Sequence, residues 1–503
     1  MNLNVDFLRR PWRIAALLLL VFLFATAVYR AATQSISHDE GLIYEWYLAG
    51  PWRNLIEVQS GNHHVLSDIL VKAMMSVFGI SEIAMRVPSL FGGALYFYSV
   101  YALSLLLFGE GALFFLAVAF LSSNPLLLDY FSVARGYGLA LGFFFYAFLQ
   151  MARCFWFDAS KRALGKAGIG LGLAVGSNVI MIFPGAALAV SMFGWYLADG
   201  VLHAKRQRNR WGDVLLYFVL PAVAIGGAIS AIPKQLIEAP GYMGPASLLL
   251  ALNGIVTFSI LHSSLGIRGF ASFVPGDELI RAVTYVGVPA LLAGLFAIAL
   301  RIAAGWVKRG LDELAGIDRF LLLLAGMIPS GIAMIVASRY LFGQAYPEMR
   351  TIVYWIPLLC LAALGMLRWT MERAKPVRLL EMPLAVLIAV FAVQFASQFN
   401  TRFFAEWAYC AAGKDMMLAV VAEHNQNPSG RVRLGVSWPL EPVVNFYRTT
   451  WDLNWLDAVD REGPDRDFDF FLLMADDLPL VEGRGLQMLK SDDLSRVVLA
   501  RRR

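Results

Sequence analysis

The sequence contains few charged residues. Only 16% of its 503 residues are Asp, Glu, Lys or Arg, whereas 58% are hydrophobic and the mean hydropathy is +0.61. Ordinary globular chains are about 45–50% apolar and about 25% charged. A soluble core cannot absorb this excess, because the accessible surface of a folded chain grows too fast with its size. The composition therefore excludes an ordinary soluble protein and favours one embedded in a lipid bilayer.

Cysteine is scarce, and nucleotide-binding loops are missing. Cys154, Cys360 and Cys410 show neither a disulfide framework nor the spacing of a metal site. No Walker-type glycine-rich loop is present, so nucleotide-driven transport has no support. The formal net charge of +5 does not indicate nucleic acid, because the basic residues fall in short segments between apolar runs, where they set membrane topology. We therefore expect the lipid bilayer, and no nucleic acid, as a partner.

Apolar runs near 20 residues predict about eleven transmembrane helices. The runs lie at about 12–30, 88–108, 111–128, 137–157, 167–181, 183–201, 213–232, 281–303, 319–338, 351–368 and 380–398. Ser177, Asn178 and Pro184 indicate a tight reversal between the fifth and sixth runs, and one long broken helix is the alternative. The reversal is favoured because it places the short Lys/Arg-rich segments on one side, as cytoplasmic loops require.

The remaining segments fall on the opposite, outer side. Residues 31–87 form a long outer segment with Tyr44, Trp46 and Trp52 mixed among charges, which predicts helices lying in the membrane interface. The tail from 399 is denser in charge, and its runs 432–436 and 468–474 look like strands. The fold class predicted is a mainly α, polytopic membrane protein with a small C-terminal α/β domain.

Acidic and basic residues collect on the outer side. A charge at the bilayer centre costs about 2.5–3.5 kcal/mol, so the adjacent pair Asp39-Glu40 after the first run should lie at the membrane surface. Asp129 lies between the third and fourth runs on the same side. Arginines also flank outer segments, at Arg86, Arg135, Arg339 and Arg350. Arginine forks bind phosphate oxygens in a bidentate way.

This constellation suggests a reaction. A polyprenyl-phosphate sugar carries a leaving group that is already an acidic phosphate, so it needs no general acid, unlike the substrates of glycoside hydrolases. It needs positive charge on the departing phosphate, which arginine supplies. It also needs one carboxylate to take the proton of the acceptor hydroxyl.

The sequence resembles the GT-C superfamily of membrane glycosyltransferases, in the branch of protein O-mannosyltransferases and the lipid A aminoarabinose transferase. The matching motifs are His38-Asp39-Glu40, Asn62-His63-His64, Met85-Arg86-Val87-Pro88-Ser89-Leu90-Phe91-Gly92, Ala134-Arg135-Gly136-Tyr137 and, more weakly, Tyr346-Pro347-Glu348-Met349-Arg350. The resemblance covers roughly residues 10–200, is thin for 200–400 and does not extend to the tail. It implies a GT-C-like transmembrane catalytic domain over 1–398, and the change of composition in the tail predicts an extracytoplasmic α/β domain over 399–503.

The resemblance also implies roles for the site residues. Asp39 is the catalytic base, Glu40 supports it or binds the acceptor or a metal, and Asp129 matches a second-loop acid. The residues expected to bind substrate are His38, His63, His64, Arg86, Arg135, Tyr137 and Arg350. The sequence departs from the pattern at His64, where relatives often carry proline. His38, His63 and His64 could hold a divalent metal with Asp39 or Glu40. Adjacent histidines rarely ligate one ion, however, so we predict neither metal nor cofactor.

The function expected is inverting transfer of a sugar from a polyprenyl-phosphate donor to a hydroxyl of an acceptor glycan, lipid or protein. In a bacterium the protein would lie in the inner membrane, with its active site and tail domain facing the periplasm. Two alternatives stay open: a transporter or flippase of lipid-linked sugars, and a noncatalytic subunit of a polysaccharide assembly machine. A transporter would carry charge along a path through the bilayer.

Overall fold

A computed structural model describes residues 10–57, 63–156, 160–203, 210–231, 244–245, 247–261, 276–373, 389–426, 428 and 430–502. Helices dominate this part of the chain. Its first half contains α1 (Pro11–Thr33), α2 (His38–Ile43, continued by a π-helical turn Tyr44–Leu48), α3 (Asn54–Glu57), α4 (Val65–Phe78), α5 (Glu82–Phe108), α6 (Ala112–Ser122), α7 (Pro125–Ser132), α8 (Gly136–Trp156), α9 (Lys161–Ser177) and α10 (Ile182–Leu202).

The second half continues with further apolar helices and then the tail. The helices are α11 (Arg210–Ser230), α12 (Leu248–Ile260), α13 (Asp277–Arg309), α14 (Gly316–Phe342), α15 (Trp355–Arg373) and α16 (389–398). The tail contains α17 (Gly413–Gln426), β1 (Leu434–Val436), α18 (Glu441–Thr450), β2 (Phe470–Leu473), α19 (Pro479–Gly483), β3 (Gln487–Asp492) and β4 (Val497–Arg501). The predicted mainly α, polytopic membrane class with a small C-terminal strand region is confirmed.

The number of membrane crossings differs from the prediction. Seven helices of the described chain are long and apolar enough to cross a bilayer, and α6 with α7, bent by 60°, makes up to eight. The predicted runs at 137–157, 167–181 and 380–398 are not among them. Helix α9 has only 17 residues, and the last run is described only from 389 onward. The count of eleven is therefore not confirmed, although the chain is a multi-pass membrane protein.

The bend between α6 and α7 has a local cause. Pro125 opens α7, and the Asn124 side chain accepts hydrogen bonds from the backbone N–H groups of Leu126 and Leu127 at 3.0 and 3.2 Å. Proline at the first helical position and asparagine as N-cap both start a new helix. The single predicted run at 111–128 is thus two helices, and the second one leads the chain back toward Arg135.

The described parts of residues 31–87 are largely helical, as the sequence predicted. Ser37 caps α2: its hydroxyl accepts from the Glu40 N–H, and the Glu40 carboxylate accepts from the Ser37 N–H at 2.9 Å. This reciprocal pair is a capping box, which fixes where the helix begins. Two carboxylates in the first turn are further favoured by the positive end of the helix dipole. Asp39 is therefore held on a defined helical turn directly after α1.

The tail folds against this turn. Its sheet has the order β1-β2-β4-β3, with β1 parallel to β2 (Leu434 opposite Phe470) and the other neighbours antiparallel. The last two strands were not predicted. Helix α18 packs on α2, and the Tyr447 hydroxyl accepts from the Ile36 N–H at 2.9 Å and donates to Glu82 at 3.0 Å. One hydrophobic core joins both parts of the chain. The domain boundary at 398/399 stays a prediction.

Candidate active site

Asp39 lies between two guanidinium groups. Its Oδ2 is 2.9 Å from Nη1 of Arg350 and 3.4 Å from Nη2 of Arg135, and the residue is 7% exposed. Burial by itself would raise the pKa of this carboxyl, but the charges of Arg135 and Arg350 outweigh burial and leave the pKa below its usual value. Asp39 is therefore an ionised carboxylate held at the edge of a buried, cationic site.

Arg350 lies on a short 3-10 turn, Met349–Ile352, that leads into α15. The residue before it, Met349, has φ of +43°, a left-handed backbone that side chains other than glycine rarely adopt. Such strain persists only where the surroundings impose it, and it concentrates at functional sites. The guanidinium also lies 5.8 Å from the ring centroid of Trp407. The backbone and a tail residue together aim Arg350 at Asp39.

Glu406 is a further carboxylate of the site that the sequence did not predict. It lies on the 3-10 turn Ala405–Cys410, and its Oε2 accepts from Nη1 of Arg350 at 3.0 Å. Burial raises the pKa of Glu406, while Arg350 and the hydroxyl of Tyr130 act in the opposite direction. Glu406 contacts residues far away in the chain, so spacing along the sequence contains no signal for it.

Glu40, the neighbour of Asp39, is fully buried and bound on both oxygens. It receives Nε and Nη2 of Arg86 at 2.9 and 2.8 Å, and the Ala134 N–H at 2.6 Å. Arg86 donates its three other N–H groups to the carbonyl oxygens of Ala31, Gln34 and Ser35. All five donors of Arg86 are thus used, and neither side chain is exposed. The pair has no donor or surface left to offer a substrate.

Asp129 is similarly engaged. It forms an ion pair with Arg30, and its Oδ2 accepts from the Ala405 N–H at 2.7 Å. Arg30 also donates to the Phe403 carbonyl at 2.8 Å. The carboxylate therefore joins α1 and α7 to the start of the turn that carries Glu406. Arg30 was not predicted, because an arginine at the end of an apolar run also fits an interfacial anchor.

The three histidines take different positions. Nδ1 of His38 lies 2.7 Å from the Pro439 carbonyl, and its ring is 5.9 Å from that of Trp438. The His64 ring is edge-on to Tyr137, with centroids 5.2 Å apart. Burial, and then the charges of Arg135 and Arg350, hold the pKa of His64 well below its usual value. A neutral His64 and Tyr137 therefore line the arginine side of the site.

His63 lies beside Tyr47 and Asp68. Its ring stacks on Tyr47 at 4.4 Å, and Nε2 is 3.5 Å from Oδ2 of Asp68. Burial lowers the pKa of His63 to about 4 and raises that of Asp68 to about 7. Across the residues that the structure describes, no group of three or more His, Cys, Asp and Glu side chains could hold a metal ion. Asn62, of the predicted motif, lies outside those residues.

Two apolar cavities lie between the helices that follow this site. One of about 500 Å³ is lined by residues of α6, α12, α13 and α15, and one of about 320 Å³ by residues of α12 to α15 and the turn of Arg350. They share Ile255, Val288 and Leu359, so they adjoin each other. Ile352, two residues after Arg350, lines the smaller one. An apolar space of lipid-chain dimensions thus begins beside an arginine of the site.

Comparison with known proteins gives structural neighbours only. No protein-family model matches the chain, and no curated protein matches it. Among solved structures, it is similar to ArnT (lipid A aminoarabinose transferase) from Cupriavidus metallidurans in the apo state, with 12% identity, a TM-score of 0.44 and coverage of 96% of this chain and 97% of that one. The same protein bound to undecaprenyl phosphate is 13% identical with a TM-score of 0.41, and the similarity covers 97% of this chain and 98% of that one.

An oligosaccharyltransferase from Archaeoglobus fulgidus is also similar, with 14% identity and a TM-score of 0.43. The similarity covers 85% of this chain and 61% of that one. At identities of 12–14% and TM-scores of 0.41–0.44, these similarities do not assign the chain to a family, and the GT-C resemblance stays a prediction.

Proposed function

We propose that this chain is an inverting glycosyltransferase that moves a sugar from a polyprenyl-phosphate donor to an acceptor hydroxyl. The observation that carries the proposal is the Asp39 carboxylate held by Arg135 and Arg350 at 3.4 and 2.9 Å. A base and a phosphate-binding cation are the two groups that this reaction requires. They are adjacent here, beside an apolar space between membrane helices.

In the reaction proposed, the acceptor oxygen attacks the anomeric carbon from the face opposite the phosphate. The new carbon–oxygen bond forms as the bond from the sugar to the phosphate oxygen breaks, which inverts the configuration. Asp39 receives the hydroxyl proton, and the departing phosphate keeps the electron pair of the broken bond. Arg350 and Arg135 stabilise the charge that develops on it, as preorganised cations do in a site shielded from water.

The donor lipid chain is assigned to the two adjoining cavities. Their lining is almost wholly apolar, with Ile255, Val288 and Leu359 common to both. Each methylene-sized group removed from water contributes about 0.8 kcal/mol. A polyprenyl chain bound there would bring its phosphate toward Arg350, since Ile352 on the same turn lines the smaller cavity.

The other predicted site residues either contact a substrate or position other groups in this proposal. His64 and Tyr137 line the arginine side and contact donor, while His38 lies on the side of the tail, where an acceptor would approach. Glu40, Arg86 and Asp129 act through position, because their polar atoms are engaged within the protein. Residues 1–398 are assigned to the catalytic membrane domain, and 399–503 to an α/β domain facing the periplasm of a bacterial inner membrane, together with Asp39.

The substitution Asp39→Asn tests the assignment of the base. It keeps the shape of the side chain but removes the proton acceptor, so transfer should fall by about 10²–10⁴-fold. Purified protein is incubated with polyprenyl-phosphate sugars, and release of polyprenyl phosphate and the glycosylated product are followed. Asp476→Asn, an exposed acid of the tail, is the matched control and should keep full activity.

Full transfer by the Asp39→Asn protein would refute the base assignment. Failure of the purified wild-type protein to release polyprenyl phosphate from any donor, with flip-flop of the lipid in vesicles instead, would favour the transporter. Turnover by the protein alone would exclude a noncatalytic subunit.

A further inference from the structure

A single nitrogen of Arg350 is shared by two carboxylates. Nη1 lies 2.9 Å from Oδ2 of Asp39 and 3.0 Å from Oε2 of Glu406, and the two acids are 9% and 8% exposed at their side chains. They come from opposite ends of the chain, one from the turn after α1 and one from the turn after α16. In this state Arg350 is occupied by the group proposed as the base, and the base is occupied by the cation proposed to bind phosphate.

This mutual engagement cannot persist during transfer. A carboxylate that accepts from a guanidinium at 2.9 Å has a lone pair less available for the acceptor proton. A phosphate offers Arg350 a bidentate, charge-assisted partner, which is stronger than a single contact. Something must hold Arg350 in the site while it exchanges Asp39 for phosphate. Glu406 is placed to do so.

We propose that Glu406 is a positioning residue that retains Arg350 when the donor phosphate draws it from Asp39, so that the base is released only after donor binds. This inference rests on the proposed function and names a regulation of that same site. Trp407 and the strained residue Met349 restrict where the guanidinium can move. The exchange therefore breaks the Asp39 contact at Nη1 and keeps the Glu406 contact at the same nitrogen.

The charges around Asp39 give the direction of the effect. Arg135 and Arg350 face it as cations, His38 lies beside it on α2, and Glu406, Tyr409 and Cys410 face it from the tail turn. Burial raises the pKa of Asp39, and the two arginines lower it below its usual value. When Arg350 pairs with phosphate, the phosphate charge offsets the cation and the contact with Asp39 is lost, so the pKa of Asp39 rises and its carboxylate becomes a stronger base.

The pH dependence of transfer tests this exchange. The acid limb of the pH profile of kcat/KM for the donor reports the pKa of the base in the free protein. The acid limb of kcat at saturating donor reports the pKa of the base in the complex with donor. Because an opposite charge at this range shifts a carboxyl by about 1–3 pH units, the limb of kcat should lie about one unit or more above the limb of kcat/KM. Coincident limbs in a protein that turns over would overturn the inference and leave the proposed function standing. The absence of transfer at every pH would overturn both.

Substitutions at position 406 test the role of Glu406 itself. In Glu406→Gln, Arg350 keeps Asp39 as its only carboxylate partner, so kcat should fall at least about tenfold and the two limbs should converge. Glu406→Asp, which keeps the charge, should restore part of the separation, and it also serves if the Gln variant folds poorly. The matched control is Glu441→Gln, a buried glutamate whose Oε2 is 3.1 Å from Arg461 in the tail. It should leave the separation unchanged. If the acid limbs of kcat and kcat/KM stay apart in Glu406→Gln, the positioning role of Glu406 is refuted and its role is structural only.

Discussion

At the scale of the residue, two adjacent carboxylates have different surroundings. Asp39 and Glu40 follow each other in the first turn of α2, where successive side chains point about 100° apart around the helix axis. Glu40 therefore points into the core, where Arg86, Ala134 and Ser37 satisfy it. Asp39 points to Arg135 and Arg350. A motif that reads as two catalytic acids thus places one carboxylate against two arginines of the site and the other inside the core.

This separation predicts a loss of stability, not of chemistry, at position 40. Glu40→Gln leaves the Arg86 charge buried without its counter-ion, which costs about 3–5 kcal/mol. Thermal unfolding of the purified protein in detergent should show a clear drop in Tm, while the surviving folded fraction retains transfer. Glu423→Gln is the control, because its partner Arg501 is 36% exposed at the side chain and such pairs contribute about 1 kcal/mol or less. An unchanged Tm together with lost transfer would show that Glu40 takes part in the reaction.

The sequence predicted one part of this site and missed another for a physical reason. Asp39, Arg135 and Arg350 were selected by charge at the ends of apolar runs, and the structure brings them together. The same criterion selected Arg86, whose guanidinium is buried and donates to backbone carbonyl groups. Charge at the end of an apolar run does not show which carbonyl groups will surround an arginine in the fold. Glu406 lies 367 positions from Asp39 in a stretch with no motif. Its role is visible only when the tail turn meets α2.

At the scale of the element, close packing of α5 against α8 places Arg135. A Cβ on Gly142 of α8 would collide with the Gly92 carbonyl of α5, and one on Gly92 with the Gly138 carbonyl. Small residues let helix backbones approach in this way in membranes. Because α8 begins directly after Arg135, this contact restricts the position of Arg135 relative to α5, whose Arg86 pairs with Glu40 beside Asp39. The bend at Asn124 has a local cause, the cap, that the sequence contains. Close contacts between helices depend on the fold, so the periodicity of the sequence does not predict them.

Gly142→Ala should therefore disturb both stability and catalysis. Overpacking of this kind costs about 1–3 kcal/mol, and the displacement of α8 would move Arg135 from Asp39. We expect a lower Tm and a lower kcat. The matched control is Gly165→Ala in α9, where an added Cβ meets open space. That change should be neutral or should stabilise the helix by about 0.5–1 kcal/mol. Equal effects of both substitutions would show that the α5–α8 contact has no special role.

At the scale of the whole molecule, the site is built where three parts of the chain converge. The turn after α1 supplies Asp39, the turn before α15 supplies Arg350, and the first turn of the tail supplies Glu406. The tail is thus a component of the site. The predicted fold class is confirmed because hydrophobic runs indicate burial in lipid. The predicted number of crossings is not confirmed, because short and bent helices give hydrophobic runs similar to those of full spans.

The turn that supplies Arg350 also lines the smaller apolar cavity through Ile352, which gives a test with donors of different length. Leu359 lines both cavities, so Leu359→Trp should occupy the space of several methylene groups. Loss of burial for two such groups costs about 1.6 kcal/mol, which corresponds to more than tenfold in affinity. The KM for a long-chain polyprenyl donor should rise by that factor, and the KM for a short-chain analogue much less.

Leu300→Trp is the control for that experiment, because Leu300 is 57% exposed on α13 and lines neither of the two cavities. Transfer at saturating short-chain donor should be equal in the two variants, since Asp39, Arg350 and Glu406 are unchanged. An unaltered KM for the long chain in Leu359→Trp would mean that the lipid lies elsewhere. The polar site would then have to recruit its phosphate without this apolar path.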